Sequence, residues 1–296
     1  MFSIASLATL TTALLIAAPS VMAGKRGLAW PWYNENSNLD PGKLANSEVN
    51  WVYNWETWRP RNTNGLNFIG TQATMDSPSS PVNQLMARAQ QQGWNTVFSL
   101  NEPDINGISP ATAADWYVRW INPLNMKKAI PSVTSSQDPG KGLDWTAAFL
   151  RACNGRCIFD YVNIHWYGHN FEQFRDHVQK AHNQFPNFKL VITEFALQKP
   201  ANRDQQLGFL KSAMEFLDNA DYVLMYSVFG ASSPNLISSH MGGDEVGTGS
   251  SLYENDGGLT PNGVAYTNAH FNAWTWNVFD GRIVSSILRM VGWRMQ

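Results

Sequence analysis

The sequence predicts a single (β/α)8 TIM barrel of the α/β class, and three observations support this fold. Short apolar segments alternate with helical patterns along the whole chain, which is typical of βα units around a parallel sheet. The chain has 296 residues. Without an N-terminal targeting segment about 270 would remain, the usual size of one such domain. Because no internal repeat and no linker interrupts the pattern, we expect one domain over residues 24–279.

Eight apolar segments are predicted to form the barrel strands. They lie near residues 27–30, 51–55, 67–71, 96–100, 128–133, 161–166, 190–194 and 223–226. The segments that follow the first three strands are rich in Asn, Pro and Gly, and we expect them to be irregular.

Helical patterns fill most of the intervals between the later strands. They cover residues 82–92, 110–120, 143–152, 171–182, 204–217 and 262–276. Gly93 is a stop signal for the first helix, and Ser109 followed by Pro110 is a start signal for the second. Residues 231–260 form a long Gly- and Ser-rich loop after the last strand, where a barrel has its active-site mouth.

The two ends of the chain differ from the barrel pattern. Residues 1–23 are interpreted as a secretory signal peptide, with an apolar stretch, Pro19 and a small-residue cleavage site ending at Ala23. We therefore expect a secreted protein, extracellular or associated with the cell wall. Residues 280–296 are basic and apolar; a docked helix, a loose tail and an inaccurate gene model are all open, and a weakly packed tail is favoured.

Composition narrows the function classes. The formal charge is −2 and no basic cluster occurs, which argues against nucleic acid, because nucleic acid is bound mainly through its phosphates. The chain has 13 Trp, 9 Tyr and 15 Phe. Flat aromatic surfaces suit the apolar faces of sugar rings, although such residues also fill large cores. The only two cysteines, Cys153 and Cys157, are predicted to form a disulfide in a secreted protein.

Two glutamates are the strongest candidates for catalysis. Glu102 and Glu194 each end an apolar, strand-like segment, in a chain in which only 15% of the residues are charged. In a parallel barrel, residues at the C-terminal ends of strands face the active site. Two facing carboxyl groups perform glycoside hydrolysis. The alternatives are a solvated loop carboxylate for Glu102 and a structural ion pair for Glu194.

Other kinds of catalytic site find little support. The sequence has no serine-nucleophile elbow, no phosphate-binding glycine loop and no zinc-binding helix motif. His165 and His169 are four residues apart, but this spacing favours a metal only on a helix, and here a strand and a loop are predicted. We therefore expect no metal and no cofactor.

An ordered set of motifs resembles glycoside hydrolase family 128, a clan A family of fungal and bacterial β-1,3-glucan hydrolases. The motifs are Gly27-Leu28-Ala29-Trp30, Trp51-Val52-Tyr53-Asn54-Trp55, Asn101-Glu102-Pro103-Asp104, the Cys153 and Cys157 loop, His165-Trp166-Tyr167-Gly168 and Thr193-Glu194-Phe195-Ala196. The resemblance covers residues 25–279 and implies a (β/α)8 barrel and a retaining mechanism.

The resemblance also implies roles for individual residues. Glu102 resembles the general acid/base at the end of strand four, and Glu194 resembles the nucleophile at the end of strand seven. Asn101 resembles the clan's ligand for the substrate 2-hydroxyl, with a strand-end turn residue as the alternative. Tyr167 is the candidate donor of a hydrogen bond that keeps the nucleophile ionised. His165 and Tyr167 are predicted to share one face of their strand.

Aromatic residues near the strand ends are predicted to bind sugar. With Asn101, the full set of predicted substrate-binding residues is Trp30, Trp32, Trp55, His165, Trp166, Tyr167, Tyr226 and Phe229. One segment departs from the family, which commonly has Tyr-Ala-Trp-Phe on strand eight. Here the segment is Tyr226-Ser227-Val228-Phe229, which predicts a missing indole beside the reacting sugar.

The sequence therefore predicts a secreted, retaining β-1,3-glucan hydrolase that acts as a monomer on β-1,3-glucan or its oligosaccharides. No nucleic acid partner is expected, and no membrane partner for the mature form. A glucan-binding protein with weak or no turnover, and a clan A hydrolase of another β-glycan, are the alternatives. With the pKa of the acid raised and the pKa of the nucleophile lowered, we expect an optimum at about pH 4–6.

Overall fold

The computed structural model of the protein describes residues 24–240 and 243–269. The predicted signal peptide and the predicted C-terminal tail lie outside the described residues. Within the described ranges there are nine strands: β1 (Arg26–Ala29), β2 (Val49–Tyr53), β3 (Asn67–Phe68), β4 (Gly70–Thr71), β5 (Thr96–Phe98), β6 (Lys127–Lys128), β7 (Tyr161–Gly168), β8 (Lys189–Leu197) and β9 (Val223–Tyr226).

The strands are parallel and form two sheets that join at both edges. One sheet has the order β3-β2-β1-β9-β8-β7 and the other the order β4-β5-β6. On one side, Ala129 and Val133 bridge to Tyr161 and Ile164 of β7. On the other side, only Ile69 separates β3 from β4. The strands therefore follow one another around a closed barrel, which confirms the predicted TIM barrel.

The third predicted strand is interrupted at Ile69. The backbone N–H of Ile69 donates to the carbonyl of Val52 on β2, whereas that of Gln72 donates to the carbonyl of Phe98 on β5. The segment thus pairs first with one neighbour and then with the other. Counting β3 and β4 as one barrel strand gives the predicted eight, with β5 as the fourth and β8 as the seventh.

Helices pack around the outside of the strands. They are α1 (Leu85–Gln92), α2 (Pro110–Trp120), α3 (Gly142–Cys153), α4 (Phe171–Gln184), α5 (Arg203–Asn219), α6 (Pro234–Ser238) and α7 (Pro261–Asn268). Three short 3-10 helices precede or connect them, at Trp32–Asn36, Pro41–Lys43 and Val82–Gln84. The Ser109 side chain accepts from the backbone N–H of Thr112 and caps α2, as the sequence predicts.

Strand alternation divides the core into an inner and an outer layer. Inside the barrel, small and aromatic side chains such as Ala29, Tyr53 and Phe98 pack together. The larger outer layer lies between the strands and the helices. There Trp166 of β7 packs with its ring centroid 5.5 Å from that of Phe209 on α5. Residues that alternate with outer-layer positions therefore face the barrel interior.

A buried polar network, here called the Arg26 network, joins β1 and β9 to the C-terminal end of α5. The Arg26 guanidinium donates to Asp218 Oδ2 at 2.6 Å, to the Tyr226 hydroxyl at 2.8 Å and to the Tyr266 carbonyl at 3.0 Å. The Tyr226 hydroxyl donates in turn to Asp218 Oδ1 at 2.6 Å. The positive charge is thus matched by one carboxylate inside a well-bonded cluster.

The inner face of α4 carries a buried histidine, His177, which is 6% exposed. Neither ring nitrogen makes a hydrogen bond with the described part of the chain, although the backbone of His165 lies nearby. Burial, with a smaller contribution from Lys180, lowers the pKa of His177 to about 4. The imidazole is therefore neutral at physiological pH.

The predicted disulfide is present. Cys153, the last residue of α3, is bonded to Cys157, with 5.4 Å between their Cα atoms. The bond closes the turn between α3 and the segment that leads to β7. Among the described residues, no helix is both long enough and apolar enough to cross a bilayer.

Candidate active site

Glu194 is positioned by an irregularity in β8. The pairing of β7 with β8 runs from Ile164 opposite Ile192 to His165 opposite Glu194, so Thr193 is an extra residue on β8. Consecutive strand residues normally point to opposite faces, but such a bulge re-aims side chains. As a result, Thr193 and Glu194 both project into the barrel interior, where both contact polar partners.

Two aromatic donors hold the Glu194 carboxylate. The indole Nε1 of Trp55 donates to Oε1 at 2.7 Å, and the hydroxyl of Tyr167 donates to Oε2 at 2.5 Å. Trp55 follows β2 with φ of 60°, a left-handed conformation that is unusual for a bulky residue and aims the ring across the barrel. Both carboxylate oxygens therefore have a fixed donor, as the resemblance implied for Tyr167.

Glu102 lies in the loop after β5, on the opposite side of the cleft. Its backbone has φ of 48°, and its N–H donates to the carbonyl of Ser132 at 2.8 Å. Asp104 fixes the same loop by accepting from the hydroxyl of Thr134 at 2.5 Å and from the N–H of Gly142 at 2.9 Å. The Glu102 side chain is 18% exposed, so it reaches the cleft and remains accessible.

His165 lies between the two carboxylates. Its side chain is fully buried, and Nδ1 lies 2.9 Å from Oε1 of Glu102. Nε2 lies 3.5 Å from Oε1 of Glu194 and 2.8 Å from the hydroxyl oxygen of Thr193. One oxygen of Glu102 lies within 4.8 Å of one oxygen of Glu194. The two carboxyl groups thus face each other at a distance that a sugar carbon can bridge.

Burial and neighbouring charge set the protonation of these groups. Burial raises the pKa of Glu194, and the Glu102 charge raises it further. The His165 charge and the hydrogen bonds from Tyr167 and Trp55 lower this pKa, but by less than burial raises it. The expectation of a lowered pKa for the nucleophile is therefore wrong, because desolvation outweighs the hydrogen bonds. Burial alone would lower the pKa of His165, but the Glu194 and Glu102 carboxylates raise it. Burial also raises the pKa of Tyr167, so this residue remains a donor.

In the described part of the chain, Glu102, His165 and Glu194 also form the group whose spacing could admit a cation. Both ring nitrogens of His165 are already used in hydrogen bonds. The arrangement is accounted for by these hydrogen bonds, and we assign no ligand role to its members. No feature of the described residues requires a cofactor.

An aromatic patch lies within electrostatic reach of Glu194. It consists of Trp32, which is 55% exposed, together with Tyr33 and His240, whose rings stack at 4.1 Å. Burial and the Glu194 charge raise the pKa of Tyr33 to about 12. The sequence indicated Trp32 but missed Tyr33 and His240, whose contact joins two distant loops.

Phe229 and Asn101 also lie in the cleft. The half-buried Phe229 ring meets that of Tyr167 edge-on at 5.8 Å. Asn101 pairs with Ser132 next to Glu102, and its side-chain amide has no hydrogen-bond partner among the residues described. Both residues are therefore available to a ligand.

Four residues that the sequence placed beside the sugar lie instead in the outer layer. Trp30 is 2%, Trp166 3%, Tyr226 0% and Val228 4% exposed. The reason is alternation: their neighbours Ala29, His165 and Ser227 point inward, so these side chains point toward the helices. The predicted sugar contacts of Trp30, Trp166 and Tyr226 are therefore wrong, as is the predicted gap at Val228.

Two polar residues behind His165 were missed. The hydroxyl of Thr193 donates to Oδ1 of Asn163 at 3.0 Å, and Asn163 is 1% exposed. A signal was present, because each is a polar residue within an otherwise apolar strand. Their roles depend on which side chains they meet across the barrel, and strand pattern alone does not show this.

Comparison with known proteins gives a consistent result. The family described as "Glycosyl hydrolase catalytic core" matches residues 27–266. A solved subgroup IV endo-β-1,3-glucanase of glycoside hydrolase family 128 from Lentinula edodes is 54% identical, with a TM-score of 0.79. The match covers 82% of this chain and 99% of that one.

Two more distant relatives also match most of the chain. A solved subgroup III curdlan-specific exo-β-1,3-glucanase of the same family from Blastomyces gilchristii, in complex with glucose, is 26% identical with a TM-score of 0.67. That match covers 84% of this chain and 99% of that one. The Alkali-sensitive linkage protein 1 of Schizosaccharomyces pombe is 32% identical over 83% of this chain. The chain spans 45% of the length of that curated relative.

Proposed function

The chain belongs to the glycosyl hydrolase catalytic core family and, within it, to glycoside hydrolase family 128, and we propose that it is a secreted, retaining hydrolase of β-1,3-glucan. Relatives with β-1,3-glucanase activity support the substrate class. The 54% identity to an endo-acting enzyme favours cleavage within chains. We further propose that the protein acts as a monomer.

The facing carboxyl groups carry the proposal. Retaining glycosidases have their two carboxyl groups about 5–5.5 Å apart, whereas inverting enzymes leave about 6.5–9.5 Å for a water molecule. Here one oxygen of Glu102 lies within 4.8 Å of one oxygen of Glu194. This spacing favours direct attack by a carboxylate over attack by an intervening water.

In the proposed mechanism the glutamates divide the work. Glu102 donates its proton to the glycosidic oxygen while an oxygen of Glu194 attacks the anomeric carbon and the leaving chain departs. Water then gives a proton to Glu102 and attacks the same carbon, which releases Glu194. Tyr167 and Trp55 hold the nucleophile in position, since each donates to a different oxygen of Glu194.

The substrate would contact the open side chains of the cleft. Trp32 is the most exposed large apolar residue near the site, at 55%, and with Tyr33 and His240 it offers a surface for the face of a glucose ring. We expect Asn101, whose side-chain amide is free beside Glu102, to bind a hydroxyl of the reacting sugar. The Phe229 ring packs against Tyr167, which in turn donates to Glu194.

Hydrolysis of laminarin by the purified protein tests the activity. We expect oligosaccharides of mixed length, and the first-formed reducing ends should be β-anomers by proton NMR. Cellulose and β-1,4-mannan are the substrate controls. Turnover of one of these instead of laminarin would support another β-glycan specificity, and laminarin binding without products would support a binding protein.

Secretion and oligomeric state are tested separately. Expression of the full chain in a fungal host should release a protein that begins near Gly24, as N-terminal sequencing would show. Retention of residues 1–23 in the cell would contradict the signal peptide. Light scattering on the released protein should give the mass of one chain, and a dimer would contradict the proposed monomer.

A further inference from the structure

The buried imidazole of His165 makes one hydrogen bond with each ring nitrogen. Nδ1 lies 2.9 Å from Oε1 of Glu102, and Nε2 lies 2.8 Å from the hydroxyl oxygen of Thr193. A neutral imidazole has one N–H and one lone pair. The partners of His165 therefore decide which nitrogen carries the hydrogen.

Thr193 requires the hydrogen to be on Nε2. A threonine hydroxyl has a single hydrogen, and that of Thr193 is donated to Oδ1 of Asn163 at 3.0 Å. The oxygen of Thr193 can then only accept from His165. Asn163 is 1% exposed, so this bond is shielded from bulk solvent.

Glu194 favours the same tautomer independently. Its Oε1 lies 3.5 Å from Nε2 of His165. An N–H at Nε2 is attracted by the ionised nucleophile, whereas a lone pair there would be repelled. Two neighbours on β8 thus act on the same nitrogen in the same direction.

The tautomer of His165 determines whether a proton lies between His165 and Glu102. With Nε2 protonated, a neutral His165 presents a lone pair from Nδ1 to Oε1 of Glu102. Two lone pairs at hydrogen-bond distance repel, so one proton must lie between these atoms. It is present either as the carboxylic acid of Glu102 beside neutral imidazole, or as imidazolium beside carboxylate.

We propose, on the basis of the proposed hydrolase function, that Thr193 and Asn163 are positioning residues that lock His165 as its Nε2–H tautomer. This tautomer keeps a proton between Glu102 and His165, and Glu102 delivers that proton as the general acid. When the O–H bond of Glu102 breaks, that proton goes to the leaving oxygen. In the second step a proton from water returns to Glu102, and the lone pair of Nδ1 favours its return.

The charges around the cluster support retention of this proton. Burial lowers the pKa of His165, but nearby carboxylates outweigh burial and raise it. The titratable groups around the cluster are Glu102 and Asp104 after β5, Glu194 on β8, Tyr53 on β2, Tyr167 on β7 and the neutral His177 behind it on α4. The neighbouring carboxylates therefore favour a proton on the His165 side of the contact.

Substitution of Thr193 tests the lock through the pH profile of laminarin hydrolysis. Thr193→Val removes the acceptor for Nε2–H, so Nδ1–H becomes competitive and stabilises ionised Glu102. The basic limb of kcat should move to lower pH by about one unit, a roughly tenfold loss above the limb. Thr193→Ser retains the hydroxyl and should keep the wild-type limb.

Ser227→Ala is the matched control. Its hydroxyl donates to the backbone carbonyl of Thr193 at 2.5 Å, so the change disturbs the same bulge without touching the bond to His165. The basic limb of kcat in Ser227→Ala should stay at the wild-type pH. An unshifted limb in Thr193→Val, or an equal shift in Ser227→Ala, would overturn the proposal.

NMR of the imidazole provides a readout that does not require turnover. In protein labelled with 15N and 13C in histidine, with His165→Asn used for assignment, the His165 signals should report Nε2–H or imidazolium. A neutral Nδ1–H form would overturn the lock even in an active enzyme. Conversely, Nε2–H in a protein without hydrolytic activity would refute the proposed function and leave the lock intact.

Discussion

The barrel contains two buried charged clusters that are built differently. The Arg26 network pairs one guanidinium with one carboxylate, and hydroxyl and carbonyl groups complete its bonds. The active-site cluster places two carboxylates around a single imidazole. The first arrangement balances its charge without a ligand. In the second arrangement the proposed shared proton offsets only one of the two carboxylates, so one negative charge remains, and the Glu102 side chain is open to the cleft.

The difference indicates where the molecule gains stability and where it gives stability up. Buried carboxylates with an excess of negative charge destabilise a fold, and such sites are kept for function. A matched, fully bonded ion pair costs less to bury, although the loss of one partner is severe. Substitutions in the active-site cluster should therefore lower kcat more than stability. Substitutions in the Arg26 network should lower stability more than kcat.

The largest effect is expected at Glu194, the proposed nucleophile. Glu194→Ala should lower kcat on laminarin by about 10⁴-fold, because no other group can form the covalent intermediate. Azide should restore part of the turnover and yield an α-glycosyl azide. The melting temperature should stay level or rise, since an uncompensated buried charge has been removed. Normal laminarin turnover would refute the assignment.

Arg26→Met should have the opposite signature. It leaves the Asp218 carboxylate, whose side chain is 15% exposed, and two tyrosines without their buried cationic partner, at a cost of about 3 kcal/mol in the free energy of unfolding. Urea unfolding measures the loss, and kcat per folded molecule should stay close to wild type. A variant that folds normally but loses catalysis would show that the two clusters are not separate.

Val228→Trp tests whether position 228 lies in the outer layer of the core or faces the cleft. Val228 is 4% exposed in the outer layer, so an indole there overpacks the core and should cost about 1–3 kcal/mol of stability. Laminarin kcat should not rise, which steady-state kinetics on the folded fraction would show. An increase in kcat would mean that position 228 faces the sugar after all.

The smallest effect is expected from the hydroxyl that holds the nucleophile. Tyr167→Phe removes a hydrogen bond that lowers the already raised pKa of Glu194, so that pKa should rise further. Because the proposed nucleophile must be ionised, the acidic limb of kcat/KM should move to higher pH with it.

Tyr53→Phe is the control for Tyr167→Phe. The Tyr53 hydroxyl donates at 3.0 Å to the backbone carbonyl of Thr193 rather than to a carboxylate. Its acidic limb should therefore stay in place. Equal shifts in both variants would assign the effect to general disturbance of the barrel.

The fold was predictable because its signals are local. Apolar segments of the right spacing indicated the strands, and Ser109 with Pro110 marked a helix start that the structure confirms. The break at Ile69 was not predictable, since it depends on how β2 and β5 approach each other across the ring.

The site was predictable only in part, for the same physical reason. Glu102 and Glu194 stood out as charges at the ends of apolar segments, and the structure brings them together. Trp30, Trp166 and Tyr226 were misassigned because proximity to a strand end says nothing about which face a side chain occupies. The bulge at Thr193, which changes that face within β8, has no sequence signature of its own.

The buried His177 on α4 makes the stability of the fold depend on pH. In the unfolded chain this imidazole takes up a proton near its ordinary pKa of 6.5, whereas in the folded protein it does so only near 4. Because the unfolded state binds more protons between these values, stability falls as the pH falls through that window, by on the order of 3 kcal/mol. An acidic activity optimum would therefore lie where the folded state is less stable, and His177→Phe, which removes the titrating group, should reduce the loss of stability at acidic pH.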